Sequence, residues 1–185
     1  TARIGAVLAE HLGHDDPVRP WAERIADGAI SVDVGGFLTG SIDLVMRIPA
    51  QVPGGFRYSV VDYKTNRLGS WVEPDRIANY HPDLLSAAMA HHHYPLQAVL
   101  YSVAVHRYLR WRLPGYSPEQ HLGPVGYLFV RGMVGPETPH AGGRRHGVFD
   151  WTVPPAAVRS LNDVLDGIER SPGPPSRPSS VGAAS

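Results

Sequence analysis

The sequence predicts an α/β fold with a mixed central sheet flanked by helices. Apolar residues occupy alternate positions through residues 37–48, which is the period of a β-strand, and residues 58–64 form a second strand-like run. The turn-forming residues 49–55 lie between the two runs, so we expect them to pair as a hairpin. Helical spacing of apolar residues then begins at Pro95, a favoured first helical residue, and continues to about Arg112.

The other elements are predicted from the same kinds of pattern. In chain order they are a helix and a short second helix within residues 1–28, a surface loop at 66–83, a short helix at 84–90, a buried strand at 125–130, a loop at 144–146, a short strand at 147–151 and a terminal helix that ends near residue 170. Residues 1–35 are assigned to a helical lead-in, 36–170 to the folded core and 171–185 to a disordered tail rich in proline and serine.

Composition limits the classes of function. A chain of 185 residues with 43% hydrophobic residues is long enough for one domain with a sizeable core. The formal net charge is zero, so any contact with a phosphate backbone must be local. The absence of cysteine excludes disulfides, thiolate zinc sites and cysteine-ligated iron–sulfur clusters. No apolar run is long enough to cross a bilayer and the first residues lack the basic start of a signal peptide, so we expect a soluble, cytoplasmic protein with no membrane contact.

One basic residue differs from all the others. Of the 17 basic side chains, 16 are arginine and one, Lys64, is lysine. A coding bias explains many arginines, but it does not explain the position of the single lysine. Arginine cannot easily replace lysine where a compact, single-point ammonium is required. Lys64 is therefore a candidate functional residue.

Lys64 is expected to lie beside two carboxylates. A hairpin turn centred between Val52 and Pro53 places Asp43 opposite Asp62, with Cβ atoms roughly 4.5–5.5 Å apart. Lys64 emerges on the same face as Asp62, because alternate strand residues share a face. Facing carboxylates repel unless a cation offsets them, and Mg²⁺ suits oxygen ligands. These are the groups that phosphodiester hydrolysis needs, although a solvated surface ion cluster is an equally open interpretation of the spacing.

Five sequence blocks carry a family resemblance. They are GFLTGSIDLV at residues 36–45, VVDYKTN at 60–66, HHYPLQAVLY at 92–101, VHRYLR at 105–110 and GYLFVRG at 126–132. In this order they resemble the PD-(D/E)xK nuclease superfamily and, within it, the RecB-type nuclease domains of exodeoxyribonuclease V. The resemblance implies a restriction-endonuclease-like fold and Mg²⁺-dependent cleavage of DNA during double-strand break repair by homologous recombination.

The resemblance also implies roles for particular residues near the hairpin. Asp43 and Asp62 would be metal ligands, and the backbone carbonyl of Tyr63 would be a further ligand. Lys64 would be the catalytic lysine.

Gln97 and Tyr101 match a QxxxY motif of RecB-like nucleases. They lie one helical turn apart on the flank of the apolar helix face, from which their polar ends would reach the active site or DNA. The alternative is that they are boundary residues that cap the core with satisfied hydrogen bonds.

The resemblance has one gap. Family members also use a histidine in an upstream GTxxH-like helix as a metal ligand, and we expect that motif to precede Thr1, since neither His11 nor His14 carries it. Residues 1–35 would then be a truncated part of the nuclease domain. The implied partners are single- and double-stranded DNA, RecC-like and RecD-like subunits, and RecA. The alternative function is a catalytically incomplete fragment that binds DNA or RecA, and a stand-alone endonuclease is a third.

A second surface is a candidate for DNA binding. Arg107, Arg110 and Arg112, together with Trp111, make a basic and aromatic patch on the long predicted helix. A solvated helix face is the competing interpretation. The histidine tract at residues 91–93 is interpreted as a helix end rather than a metal site, because successive helical residues point in different directions. No GxxxxGK[ST] loop is present, so no ATP site is expected.

Overall fold

The computed structural model describes residues 1–31 and 40–167. Within these ranges the α-helices are α1 (Ala2–His11), α2 (Arg19–Ala26), α3 (Pro82–His91), α4 (Tyr94–Arg112), α5 (Pro118–His121) and α6 (Pro155–Leu165). The strands are β1 (Leu44–Pro49), β2 (Phe56–Lys64), β3 (Leu122–Phe129), β4 (His140–Ala141), β5 (Arg144–Arg145) and β6 (Val148–Trp151). Short 3₁₀ turns occupy Ile77–Tyr80, Val130–Gly132 and Gly135–Glu137.

The central sheet has the strand order β1-β2-β3-β6. β1 pairs with β2 in antiparallel fashion, β2 with β3 in parallel and β3 with β6 in antiparallel fashion, so the sheet is mixed. The chain passes through α3 and α4 between β2 and β3, because two parallel strands need a long crossover connection. The predicted α/β fold is confirmed, and this mixed sheet flanked by helices is consistent with a restriction-endonuclease-like fold.

The β1–β2 hairpin has the predicted register. Ile48 pairs with Arg57, and Leu44 pairs with Val61 at the end of the ladder. Residues 40–43 are not in a strand, so the strand predicted over residues 37–48 begins later than expected. The backbone nitrogen of Tyr63 on β2 donates a hydrogen bond to the side chain of Asp43. In a continued strand, a backbone carbonyl would have accepted this bond. Residues 37–39 lie outside the described residues.

β2 and β3 occupy the centre of the sheet and carry much of the core. Along β3 the buried positions are Leu122, Val125, Tyr127 and Phe129. The strand predicted at residues 125–130 thus begins earlier, its burial alternates, and Val130 is exposed in the 3₁₀ turn that follows. Helix α4 packs against β2, β3 and α6, and α1 packs against α2 and α6. The apolar faces of the helices thus cover the two central strands and one another.

The close approach of α1 and α2 depends on Gly5. A Cβ atom at this position would lie 2.5 Å from the backbone nitrogen of Ala26 and 2.7 Å from the carbonyl oxygen of Ala22. Both distances are shorter than real Cβ contacts, and both neighbours are backbone atoms that cannot rotate away.

The segment predicted as a surface loop at residues 66–83 is anchored in the core. It contains the 3₁₀ turn Ile77–Tyr80, and the Tyr80 side chain is fully buried. The Tyr80 hydroxyl donates a hydrogen bond of 2.9 Å to Asp75 Oδ2. Burial, followed by this hydrogen bond, raises the pKa of Tyr80 to about 12. A single buried aromatic ring has no periodicity, so the sequence pattern did not reveal the anchor.

Two further segments differ from their predictions. The loop predicted at residues 144–146 contains β5, which pairs with β4 in a small separate hairpin. Helix α6 ends at Leu165 instead of near residue 170, and residues 168–185, with the predicted tail, lie outside the described residues. None of the described helices combines the length and hydropathy needed to cross a membrane.

Candidate active site

The candidate site lies where β2 ends and α4 begins. Asp62 and Lys64 occupy the last residues of β2, and Asp43 immediately precedes β1 beside them. Gln97 and Tyr101 lie one turn apart on α4, which packs against the same strand. The fold thus brings together all five side chains that the sequence singled out for catalysis.

Asp62 is the centre of this cluster. Asp62 is buried, with only 3% of its surface exposed. Oδ1 accepts hydrogen bonds from the Tyr101 hydroxyl at 3.0 Å and from Gln97 Nε2 at 3.3 Å. Oδ2 lies 2.6 Å from Lys64 Nζ as an ion pair, and no other donor among the described residues contacts it.

Lys64 is enclosed on several sides. Its ammonium donates a hydrogen bond of 2.9 Å to Gln97 Oε1 and lies 3.9 Å from the centre of the Tyr94 ring. The Tyr127 ring stacks on Tyr94 with a centroid separation of 5.6 Å. Burial, and then the charge of Asp62, raise the pKa of both tyrosines, so their rings are neutral phenols next to the cation. A cation over a neutral aromatic face is attracted by its quadrupole.

Gln97 and Tyr101 join the lysine to the carboxylate. Gln97 Nε2 donates a hydrogen bond of 2.7 Å to the Tyr101 hydroxyl, while its carbonyl oxygen faces Lys64. The Tyr101 hydroxyl also lies 3.1 Å from the carbonyl oxygen of Ser41. Burial, followed by the hydrogen bond to Asp62, raises the pKa of Tyr101 to about 12. Tyr101 is thus a neutral donor to Asp62 at neutral pH.

Asp43 differs from Asp62 in being exposed. Its Oδ2 accepts a hydrogen bond of 3.0 Å from the backbone nitrogen of Tyr63, two residues beyond Val61 in the last ladder pair. This contact holds the Asp43 carboxylate next to the strand end that carries Asp62 and Lys64. The site therefore has one buried carboxylate in contact with the lysine and one carboxylate open to solvent.

The donor set suits a hard cation. Within residues 1–31 and 40–167, no group of three or more His, Asp or Glu side chains is arranged to hold a metal ion. Mg²⁺ binds through only one or two carboxylates and keeps several waters, so it does not require such a group. Asp43 and Asp62 supply carboxylate oxygens, and among the described residues only the Lys64 ammonium contacts Asp62 Oδ2. These residues fit Mg²⁺ better than a transition metal that prefers imidazole.

The basic patch of Arg107, Arg110 and Arg112 is elsewhere on α4. Arg107 donates hydrogen bonds to Asn162 Oδ1 at 2.8 Å and to Asp166 Oδ1 at 2.6 Å, so it clamps α4 to α6. The helical rise of roughly 1.5 Å per residue places Arg107 about 15 Å and Arg112 about 22 Å beyond Gln97 along the axis. The structure does not bring this patch to the candidate site.

The histidine tract forms a helix end, as interpreted from the sequence. Helix α3 ends at His91, and His93 has a left-handed backbone with φ of 54° while its Nδ1 accepts a hydrogen bond of 3.2 Å from Trp21 Nε1. The ring of His92 stacks on Tyr94 at 5.3 Å. Burial, and then the neighbouring charges of His91 and Lys64, lower the pKa of His92. The tract thus packs beside the site without forming a metal cluster.

Sequence reasoning assigned no role to Tyr94 or Tyr127. Both fall inside blocks of the family resemblance, at residues 92–101 and 126–132. The position of Tyr94 was a sequence signal, because this residue directly follows the histidine tract and directly precedes the proline in the first turn of α4. The stacking of the two rings under Lys64 depends on how α4 crosses β3, which residue spacing does not give.

Fold and site together define a restriction-endonuclease-like α/β domain in which an acidic pair, a lysine and a Gln–Tyr pair meet at the end of one strand. No family model matches the chain. The chain is 49% identical over 166 residues to the RecBCD enzyme subunit RecB of Mycobacterium tuberculosis, and 46% identical over 164 residues to that of Mycolicibacterium smegmatis. The Escherichia coli subunit is 44% identical over 102 residues.

These alignments cover 89%, 88% and 55% of the chain respectively. The chain belongs to the RecB family, as its sequence blocks predicted. It spans 14%, 15% and 8% of the length of these three relatives, so it corresponds to a small part of a RecB subunit.

Proposed function

We propose that this chain is the nuclease module of a RecB-type subunit and that it hydrolyses phosphodiester bonds in DNA with the help of Mg²⁺. The observation that carries this proposal is the contact of Asp62 with Lys64, Gln97 and Tyr101 in one network at the end of β2. All four side chains carry polar groups that are expensive to desolvate, and such clusters are typical of sites with a chemical task.

Each residue has a role that follows from its position. Asp43, Asp62 and the carbonyl of Tyr63 would hold Mg²⁺, which when bound lowers the pKa of a water molecule and stabilises negative charge on a phosphate oxygen. Lys64 places a single ammonium where charge develops on the scissile phosphate, and its cation stabilises that charge. Gln97 orients both partners, because its amide oxygen holds the ammonium and its amide nitrogen holds the Asp62 carboxylate.

The surrounding biology is proposed from the relatives. Their name identifies them as RecB subunits of the RecBCD enzyme. By analogy, this module would act as an exonuclease of the exodeoxyribonuclease V type in the cytoplasm, beside RecC-like and RecD-like subunits. It would degrade single and double strands of DNA during recombinational repair, and RecA would be a further partner.

Cleavage of labelled DNA by the 185-residue chain tests the proposal. We expect cleavage of single- and double-stranded oligonucleotides with Mg²⁺, and none with EDTA. Lys64→Ala should cleave at least about 100-fold more slowly, which is the size of effect seen when one group that stabilises transition-state charge is removed. Arg24→Ala is the matched control, because it removes an exposed cation from α2 that belongs neither to the site nor to the basic patch of α4. Cleavage in EDTA, or equal cleavage by Lys64→Ala, would contradict the proposal.

A second candidate function is a DNA- or RecA-binding module that does not cleave. The observation in its favour is that the described residues offer two carboxylates at the site but no third clustered His, Asp or Glu ligand. Binding of DNA without cleavage by the unaltered chain, at any Mg²⁺ concentration, would support this candidate over the first.

A further inference from the structure

A cavity opens immediately beyond the candidate site. It has a volume of about 770 Å³, and its wall begins at Thr65, the residue that follows Lys64. The loop after β2 forms one side, helix α3 forms another, and Arg131 also lines the cavity. Tyr94, whose ring centre lies 3.9 Å from Lys64 Nζ, donates a hydrogen bond of 3.4 Å to Asn66 in this wall, so the cavity adjoins the candidate site.

The wall of the cavity is basic. It contains Arg67 and Arg131, and it contains no Asp or Glu. Arg131 Nε donates a hydrogen bond of 2.6 Å to the carbonyl oxygen of Thr65, while its Nη1 is 3.7 Å from Asp75 Oδ2. Arg67 Nη2 bonds the carbonyl oxygen of Glu73, and its Nε is buried with no acceptor among the described residues. Arg131 is thus partly offset by Asp75, whereas Arg67 makes no ion pair among the described residues and leaves a cation that favours an anionic ligand.

The same wall of the cavity contains an exposed tryptophan, Trp71. Trp71 is 84% exposed, although its large ring would ordinarily be buried. The Arg67 guanidinium lies 5.7 Å from the ring centre, so a cation and an open aromatic face are neighbours. This combination binds single-stranded nucleic acid, in which unstacked bases lie on aromatic rings while the phosphates meet cations.

We propose that this cavity, here called the Trp71 groove, binds the single-stranded DNA next to the bond that is cleaved. Trp71 stacks on one base, and Arg67 and Arg131 contact the flanking phosphates. The inference rests on the proposed nuclease function, since that function makes DNA the ligand. It adds the residues that contact the strand, and it requires an unpaired strand there because bases in a duplex are already stacked and do not offer a free face to Trp71.

The competing surface on α4 is less suited to this role. Trp111 is also exposed, at 76%, and lies beside Arg112, whose guanidinium is 4.4 Å from its ring centre. That surface is roughly 20 Å from Gln97 along the helix. The wall of the Trp71 groove instead begins at Thr65, the residue that follows Lys64.

Equilibrium binding to a fluorescein-labelled oligo(dT) of about 12 nucleotides in EDTA tests the groove without cleavage. Stacking contributes about 1–3 kcal/mol per base, so Trp71→Ala should raise the Kd roughly 5- to 150-fold, while Trp71→Phe should retain most of the affinity. Trp111→Ala should change the Kd less than about twofold. Arg67→Ala should lower the slope of log affinity against log salt by about 0.7. Binding of a blunt duplex should respond weakly to Trp71→Ala.

The possible results of these experiments distinguish failure of the groove proposal from failure of the nuclease proposal. Cleavage with Mg²⁺ by the unaltered chain, together with an unchanged Kd for Trp71→Ala, would overturn the groove and leave the nuclease proposal standing. A large loss of binding in Trp71→Ala without any cleavage by the unaltered chain would support the groove and contradict the nuclease proposal. Loss of binding in Trp111→Ala but not in Trp71→Ala would place the strand on α4 and overturn the groove. Because Trp71 is exposed, its substitution leaves the core intact, and circular dichroism checks this.

Discussion

Replacement of Lys64 by methionine tests whether the site is one buried network. Lys64→Met keeps most of the aliphatic volume but leaves the Asp62 carboxylate, 3% exposed, without its cation at 2.6 Å. Breaking a buried pair by removing one partner costs about 3–5 kcal/mol. Tyr101 and Gln97 still donate to Asp62, so we expect the lower end, about 3 kcal/mol, or a fall in Tm of roughly 6–12 °C for a chain of this size.

Urea denaturation followed by circular dichroism in EDTA measures this loss. The double variant Asp62→Asn/Lys64→Met removes both charges, so its loss should be smaller than the sum of the single losses by at least about 1.5 kcal/mol. Mg²⁺ should restore part of the stability of Lys64→Met, because a ligand that binds the folded state stabilises it. A loss below about 1 kcal/mol, with single effects that add within about 0.5 kcal/mol, would refute the network and favour a solvated ion cluster.

Three further predictions concern the scaffold. Gly5→Ala should destabilise the chain by about 1–3 kcal/mol, because the new Cβ meets backbone of α2, whereas Gly13→Ala, with nothing within 4 Å, should be nearly neutral in thermal denaturation. Burial, and then nearby arginines, lower the pKa of His106, so its contribution to stability is present above its unfolded pKa of 6.5 and is lost as the pH falls. His106→Gln should therefore reduce the loss of unfolding free energy between about pH 7.5 and about pH 5, and an unchanged loss would show that other groups carry it. Arg107→Ala should cost about 1–2 kcal/mol by removing its bonds to α6, against less than about 0.5 kcal/mol for Arg110→Ala, and equal effects would contradict the clamp.

The local sequence pattern was sufficient to predict the part of the site that lies on the β1–β2 hairpin. The turn between the strands determines which residues face each other, so the register of Ile48 with Arg57 followed from the sequence. The alternation of strand faces then placed Lys64 beside Asp62, as the ion pair confirms. Both relations depend on neighbours within about 20 residues, where backbone geometry leaves few choices.

The sequence pattern could not predict contacts between elements that lie far apart along the chain. Arg107 was a candidate for DNA contact because it lies in a basic run, yet its guanidinium bonds Asn162 on α6. The same holds for Tyr127, whose ring reaches the site only because β3 lies beside β2 in parallel. Trp71 lies in a segment without periodicity, so the pattern could not predict its place in the wall of the groove, in the loop that Tyr80 anchors.

The rate of DNA cleavage by Asp62→Asn tests the central claim most directly. This substitution keeps the volume of the side chain but removes the charge that contacts Lys64 and that would bind Mg²⁺. We expect the unaltered chain to cleave a single-stranded oligonucleotide with Mg²⁺, and Asp62→Asn to cleave it at least about 100-fold more slowly under single-turnover conditions while it remains folded. Equal rates for the two proteins would contradict the assignment of this cluster as the active site.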